Sequence, residues 1–175
     1  SFADLPFSAS TNLVVNGYGY TTFRVQVPPD QLAWQVNVVV TNGNPNVAVR
    51  RDFIPSEKYN DAYSEVAGTV SDSITLVPPT LSDGTFFITV YSTNSYSCTL
   101  QSGNPEFTEI NFTSATTNLD VNRVGWRFFK VSDINQQLGA LGWDLFITNY
   151  APGTRLALRR NAAPGLWSFR NPTDD

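Results

Sequence analysis

Hydrophobic and polar residues alternate along much of the chain with a period of two, which is typical of half-buried β-strands. The alternation is clearest in four stretches, 23–27, 34–40, 74–76 and 86–91. Turn-forming Gly, Pro and Asn residues separate them, as at 42–45, 78–79, 82–84 and 103–105. No stretch has a helical stripe, and segment 56–67, which lacks an apolar face, is predicted to be a loop. The pattern predicts an all-β fold of antiparallel, jelly-roll-like β-sandwich domains.

The first part of the chain recurs in the second part. Residues 8–16 match 114–122, residues 23–25 match 129–131, and residues 47–52 match 156–161. The blocks keep their order while the offset grows from 106 to 109, as expected when turns lengthen and strands are retained. We therefore predict tandem domains, with residues 1–104 forming a complete sandwich and residues 105–175 the first part of a second, homologous one.

The second copy has no counterpart of stretches 84–91 and 96–101. A sandwich without these strands exposes sheet edges and one side of its core. We therefore expect a partner to complete the second copy, either the remainder of the same precursor or another chain that supplies the missing strands.

Residues 81–91, which read LSDGTFFITVY, and the short strand 95–100 that follows resemble the closing hairpin of bacterial pre-peptidase C-terminal domains. Residues 20–27 and the prolines after them resemble the aromatic-rich second strand and Val-Pro turn of that family. The resemblance implies a jelly-roll-like sandwich attached to secreted hydrolases and surface proteins, without a catalytic role of its own. Related collagen-binding modules hold calcium through an acidic N-terminal segment. This chain offers only Asp4 there, so no metal is expected.

The composition narrows the possible chemistry. The chain has 15 acidic and 11 basic side chains, no His and one Cys. Without clustered Lys and Arg we expect no nucleic-acid partner, and without His neither a Ser-His-Asp triad nor a Cys-His pair can form. No phosphate-binding Gly-rich loop and no apolar run long enough to span a membrane occur. We predict a protein that is not an enzyme, has no cofactor, and is secreted by a bacterium or held at its surface, as low Lys and high Asn, Ser and Thr also indicate.

Aromatic residues are the first candidates for contact with a ligand. Strand phase turns Tyr20 outward in the first copy and Trp126, with Phe128, outward in the second, whereas Tyr59 and Tyr63 lie in the predicted loop. Such rings can stack on sugars or pack against a neighbouring protein. Alternatively, strand twist returns them to the edge of the core.

Paired arginines occur at the end of a strand in both copies, as Arg50-Arg51 and Arg159-Arg160. Their planar, forked side chains can bind sulfate, carboxylate or an acidic polysaccharide. They can equally pair with an acidic group across the sandwich. Their recurrence in both copies favours the structural interpretation, because a requirement of the fold repeats more regularly than a ligand site does.

Two functions remain. The chain is expected to be a non-catalytic secreted accessory or interaction module that attaches, spaces or stabilises a larger extracellular protein or assembly. The alternative is a carbohydrate-binding module whose exposed aromatic residues stack on a polysaccharide. An exposed aromatic row with Asn, Gln and Asp beside it would favour the alternative.

Overall fold

The computed structural model describes residues 1–112, 126–132, 144–148 and 152–165. Within these ranges the chain forms strands and no helix. The strands are β1 (Ala3–Asp4), β2 (Ala9–Val15), β3 (Gly19–Val27), β4 (Trp34–Asn42), β5 (Asn46–Arg51), β6 (Ala62–Ser64), β7 (Asp72–Leu76), β8 (Gly84–Ser92), β9 (Tyr96–Gly103), β10 (Phe107–Ile110) and β11 (Phe128–Val131).

The strands β1 to β9 form two sheets that pack face to face. One has five strands in the order β1-β3-β8-β5-β6, and the other has four in the order β2-β9-β4-β7. All pairs are antiparallel apart from the short parallel pair of β1 and β3. From β2 onward this is the strand order of a jelly roll, two interleaved Greek keys. The predicted all-β, antiparallel, jelly-roll-like sandwich is therefore confirmed.

Alternate residues of both sheets face inward and fill the core. Trp34, which begins β4, is fully buried, and its ring meets that of Phe86 edge to face with 5.3 Å between the centroids. Phe23 is 7% exposed, so the inward phase predicted for β3 is correct. Trp143, the expected counterpart of Trp34 in the second copy, lies outside the described residues.

The strands β8 and β9 are not the hairpin that the sequence suggested. β8 lies between β3 and β5 in the five-stranded sheet, while β9 lies between β2 and β4 in the other. The short connection between them crosses from one sheet to the other, because both strands carry apolar faces that bury against each other. The hydroxyl of Tyr96 donates a hydrogen bond across this core to the carbonyl oxygen of Val90, at 3.3 Å.

The predicted loop 56–67 contains the short strand β6, which extends the five-stranded sheet. Its register places Ser64 opposite Val47 and Tyr63 opposite Ala48 of β5. The loop prediction was wrong for these three residues, because backbone pairing with β5 provides the order that the segment's own pattern lacks.

The described residues after position 104 share three local features with residues 1–104, where the sequence predicted a repeat. β10 pairs in parallel with β11, as β1 does with β3. A salt bridge spans each pair, between Asp4 and Arg24 at 2.6 Å and between Glu109 and Lys130 at 3.1 Å. Left-handed residues end the two arginine-containing segments, Asp52 with φ 61° and Asn161 with φ 62°. Leu158, however, is 62% exposed, whereas its counterpart Val49 is fully buried.

Described residues after position 104 pack against one end of the sandwich. Phe128 is buried with Ala33 and Ala163, and the backbone N–H of Ala163 donates to the carbonyl oxygen of Leu32 at 3.2 Å. Trp126 is half-buried, with its ring parallel to that of Phe128 at 5.8 Å. The outward orientation predicted for Phe128 was wrong, because the end of the first sandwich covers that face of β11.

Candidate functional site

The outer face of the five-stranded sheet carries two of the candidate residues. Tyr20 projects from β3 and is 56% exposed, and Tyr63 projects from β6 and is 59% exposed. The strand register places Tyr20 opposite Tyr91 of β8. Strand pairing thus brings two distant candidates to the same face, which we call the outer face.

Three tyrosines cluster at one end of the outer face, and we call Tyr18, Tyr20 and Tyr91 the aromatic end. The rings of Tyr18 and Tyr20 are perpendicular with 5.2 Å between centroids, and their hydroxyls hydrogen-bond to each other. The ring of Tyr91 is stacked on that of Tyr20 at 6.2 Å. Tyr91 is buried, whereas Tyr18 and Tyr20 are exposed, so Tyr91 supports an exposed pair of rings.

Carboxylates border the aromatic end. The Tyr91 hydroxyl donates to Oε1 of Glu65 at 2.7 Å. Burial, this hydrogen bond and the nearby carboxylates raise the pKa of Tyr91 above its ordinary value. The hydrogen bond with Tyr18 and the charge of Glu57 raise the pKa of Tyr20. The hydroxyls of Tyr20 and Tyr91 are therefore neutral at physiological pH, and the negative charge here comes from the carboxylates.

The centre of the outer face is a row of short side chains, Thr22, Thr89 and Ala48, on neighbouring strands. The hydroxyls of Thr22 and Thr89 are 3.1 Å apart and hydrogen-bonded. These residues project outward but are only 9%, 2% and 0% exposed. As one face of a sheet, the outer face is an extended surface, which suits contact over an area better than enclosure of a small molecule.

Arginines and phenylalanines occupy the other end of the outer face. Arg24 donates to both carboxylate oxygens of Asp4, at 2.6 and 3.0 Å, and lies over the ring of Phe2 at 5.2 Å from its centroid. Arg50 lies over the ring of Phe53 at 5.0 Å. Both guanidinium groups therefore contact an aromatic ring of the chain itself.

The remaining arginine candidates lie away from the aromatic end. Arg51 donates to the hydroxyl of Ser82 and, at 3.1 Å, to the carbonyl oxygen of Asp83, and lies 3.6 Å from the carboxylate of Asp52. Arg159 donates to the carbonyl oxygen of Pro78. Arg160 is exposed. Arg51 thus braces the turn before β8, and its acidic partner is the neighbouring Asp52.

The other aromatic candidates lie elsewhere. Tyr59 is 58% exposed in a turn beside β6, where the Lys58 ammonium lies 5.3 Å from its ring centroid. Trp126 belongs to the packing cluster at the end of the sandwich. Sequence reasoning missed Tyr18 and Tyr91. The alternation of β8 carried a signal for Tyr91, because inward Phe86, Ile88 and Val90 imply outward Phe87, Thr89 and Tyr91.

The outer face of the four-stranded sheet differs in chemistry. Its hydroxyl and amide groups pair with one another, as Thr99 does with Asn12 at 2.8 Å and Ser73 with Asn37 at 2.7 Å. A shallow depression of about 300 Å³ lies between β2, β9 and the end of β4. Its most exposed apolar side chain is Val14, at 76%. This face has few hydrogen-bonding groups that are not already paired within the sheet.

The described ranges offer little reactive chemistry. Cys98 is buried, and burial raises the pKa of its thiol to about 11, which disfavours the nucleophilic thiolate. Over the same ranges, acidic and cysteine side chains do not gather in threes to bind a metal. A search of those ranges for a helix long and apolar enough to cross a membrane finds none.

No family model and no curated protein matches the chain. Solved structures do. The pre-peptidase C-terminal domain of collagenase from Bacillus anthracis is 10% identical with a TM-score of 0.47, over 58% of this chain and 94% of that domain. PliG from Aeromonas hydrophila, a periplasmic inhibitor of g-type lysozyme, is 14% identical with a TM-score of 0.40. The match covers 58% of this chain and 96% of that protein. PliG from Salmonella Typhimurium is 17% identical with a TM-score of 0.34, and the match covers 58% of this chain and 99% of that protein.

Proposed function

We propose that this chain is a non-catalytic extracellular module that binds a larger protein or assembly through the outer face of its five-stranded sheet. The observation that carries the proposal is the pair Tyr20 and Tyr63, which are both more than half exposed on the same face of the sheet. Tyrosine is enriched in protein interfaces because it offers a large contact area at low cost in conformational entropy.

The outer face is also preorganised. The ring of Tyr20 contacts those of Tyr18 and Tyr91, and all of β3 pairs with β8. A side chain that is already ordered loses little entropy on binding, so more of the contact energy appears as affinity. The non-catalytic role rests on the lack of His in the sequence and on the burial of Cys98.

The tandem organisation is part of the same proposal, with residues 1–104 as the first domain and 105–175 as the beginning of the second. Two correspondences support it. The salt bridge of Glu109 with Lys130 matches that of Asp4 with Arg24, and Asn161 matches Asp52 in backbone conformation. Completion of the second copy by a partner segment belongs to this proposal as well, and the exposed Leu156 and Leu158 support it.

Carbohydrate binding is the second candidate function. It is favoured by the stacked rings of Tyr20 and Tyr91 beside Asn46, which the strand register places opposite Tyr91. The exposed ring of Tyr20, supported by Tyr91, would stack on a sugar, and the amide of Asn46 would bond to the sugar's hydroxyls. Tyr59, Trp126 and the pairs Arg50-Arg51 and Arg159-Arg160 remain predicted contacts for a polysaccharide or an anion, outside the cluster that the proposal uses.

A photo-cross-linking amino acid tests the protein-binding proposal. It replaces Tyr63 on the outer face or Tyr59 in the turn, which are matched in exposure at 59% and 58%. In the cells that secrete the protein, we expect the cross-linker at position 63 to capture one discrete protein. The cross-linker at position 59 should not capture that protein. Replacement of Tyr20 by Ala should remove that product. Equal labelling from both positions would contradict the proposal.

A parallel assay tests the alternative. Retention on insoluble cellulose, chitin or xylan is compared for the unaltered chain, Tyr20→Ala and Tyr59→Ala. Retention that is lost in Tyr20→Ala and kept in Tyr59→Ala would favour the carbohydrate-binding function. We expect no retention that depends on Tyr20.

A further inference from the structure

We propose that the aromatic end of the outer face takes an arginine or lysine side chain from a basic segment of a partner protein. This inference rests on the proposed function, because it names the chemistry of the partner at the same face. It follows from the ring geometry, the charges around the rings and the way the rest of the sheet uses its own arginines.

The rings of the aromatic end have the geometry of a cation site. Cations bind over the face of a tyrosine ring, within about 6 Å of its centroid. Tyr18 and Tyr20 are 65% and 56% exposed and perpendicular to each other, so they form two walls of an open corner. Tyr91 supports the corner from beneath through its stacking on Tyr20.

The charged groups around this corner are negative. Glu65 accepts a hydrogen bond from the Tyr91 hydroxyl at 2.7 Å, and Glu57 acts electrostatically on the hydroxyls of both Tyr20 and Tyr91. Both carboxylates are exposed. Asp72, which also acts on Tyr91, is buried. Lys58, the neighbour of Glu57 in sequence, lies over the ring of Tyr59.

The other end of the same face already uses the proposed interaction internally. Arg24 lies over Phe2 and is held by Asp4, so a ring, a cation and a carboxylate come together. Arg50 lies over Phe53 in a similar way. In the described part of the chain, no Arg or Lys lies over Tyr18, Tyr20 or Tyr91. The aromatic end therefore has the ring and the carboxylate of this arrangement but lacks the cation.

The charge of the whole sandwich favours a basic partner. Residues 1–104, which form the sandwich, contain eight acidic side chains and four basic ones. The four basic groups all have internal contacts, Arg24 and Arg51 in salt bridges and Arg50 and Lys58 over rings. The negative field that remains attracts a basic segment and lowers the affinity of an acidic one. A neutral polysaccharide could use the carboxylates only as hydrogen-bond acceptors and would gain nothing from the long-range field.

The test uses the full chain and fluorescein-labelled Gly-Arg-Gly-Arg-Gly, with the lysine and glutamate versions of the peptide and cellohexaose as comparisons. Binding is followed by fluorescence anisotropy, or by NMR for the unlabelled sugar, and located by the ring proton shifts of the tyrosines. We expect the two basic peptides to bind, to shift Tyr18 and Tyr20, and to lose affinity when salt is raised through the range in which charges are screened. We expect no binding of the glutamate peptide.

Three variants separate a site from general attraction. Glu57→Gln combined with Glu65→Gln should weaken binding of the arginine peptide at least about fivefold, and Tyr20→Ala should weaken it at least as much. The amide oxygen that Glu65→Gln introduces can still accept the hydrogen bond from Tyr91, so the fold is kept. Glu106→Gln is the matched control, because Glu106 does not act on either tyrosine hydroxyl, and it should change the affinity by less than about twofold.

Equal weakening by Glu106→Gln and by the double variant, or peptide-induced shifts that avoid Tyr18 and Tyr20, would overturn the inference. Cellohexaose binding at these tyrosines that is insensitive to loss of the carboxylates would overturn it in favour of a sugar. If the arginine peptide does not bind but cross-linking from position 63 still gives its discrete product, the proposed function stands and only the cationic partner is wrong.

Discussion

Trp34 donates a hydrogen bond from its indole N–H to the hydroxyl of Ser102, at 2.9 Å, inside the core. The Ser102 hydroxyl in turn donates to the carbonyl oxygen of Phe7 at 2.8 Å. Two neighbouring strands and the segment before β2 are therefore joined by one polar chain. Trp34, the largest side chain of the core, is buried without leaving a polar group unpaired, because its indole N–H has a hydrogen-bond acceptor.

Replacing Ser102 by Ala should destabilise the sandwich by about 1–3 kcal/mol, because the indole N–H and the Phe7 carbonyl both lose a buried partner. Urea unfolding followed by tryptophan fluorescence measures the change. Ser10→Ala, at an exposed position of β2, is the control and should fall within about 0.5 kcal/mol of the unaltered chain. Equal effects of the two variants would show that the buried hydrogen bonds contribute nothing.

Alanine substitutions at two turn glycines distinguish the cost of backbone strain from the cost of a steric clash. Gly43 and Gly17 have φ of 80° and 87°. A Cβ on Gly17 would meet no atom within 4 Å, whereas one on Gly43 would lie 2.5 Å from the carbonyl oxygen of Ser95. Gly17→Ala should therefore cost about 1–2 kcal/mol from the left-handed conformation alone.

Gly43→Ala should cost several kcal/mol more than Gly17→Ala, because the backbone atoms in its way must move. Thermal unfolding of both variants gives the comparison. A smaller loss of stability in Gly43→Ala than in Gly17→Ala would mean that the turn between β4 and β5 is packed less tightly than the structure has it.

Asp72 links the edges of the two sheets. Its Oδ1 accepts hydrogen bonds from the Ser64 hydroxyl and, at 3.0 Å, from the Val66 N–H. Asp72→Ala should cost about 1–3 kcal/mol and speed hydrogen exchange of the Val66 amide, because that donor loses its partner. Asp72→Asn keeps an acceptor and should cost less. Asp83→Ala, at an exposed turn, is the control. Unchanged exchange at Val66 in Asp72→Ala would contradict this prediction.

The raised pKa values of the buried Cys98 and Tyr96 predict that the folded chain becomes less stable at high pH. Burial raises the pKa of the Cys98 thiol from 9.0 to about 11, and raises the pKa of Tyr96 as well. Between the unfolded and folded pKa values the native state holds the thiol proton that the unfolded chain has lost. This contribution is complete below pH 9.0 and is lost as the pH rises towards about 11.

The measurement is urea unfolding as the pH is raised through this window. Cys98→Ala should lower stability at neutral pH, because it leaves a cavity, and should make the decline with pH less steep. Iodoacetamide should label the native thiol much more slowly than the thiol of the unfolded chain. A native thiol that reacts at the unfolded rate would show that β9 does not protect it.

The sequence predicted which way individual side chains of the candidate site project. It did not predict which of them lie together or how exposed each one is. Alternation indicated that Tyr20 projects outward, and it is exposed on β3. The same rule applied to β8 places Tyr91 outward, yet Tyr91 is only 5% exposed because Tyr20 is stacked on it. Burial of an outward residue depends on its cross-strand neighbour, and that neighbour is known only once the strands are paired.

Local pattern alone determined that this chain forms β-strands and that Trp34, Phe23 and their alternate neighbours face a core. A period of two and the residue types that form turns are properties of short segments, so no long-range information is needed. Tertiary structure decided that β8 and β9 enter different sheets, that β6 joins β5, and that Phe128 is covered by the end of the sandwich. Each of these depends on which distant segments meet, because pairing partners and covered faces are set by the packing of the whole fold.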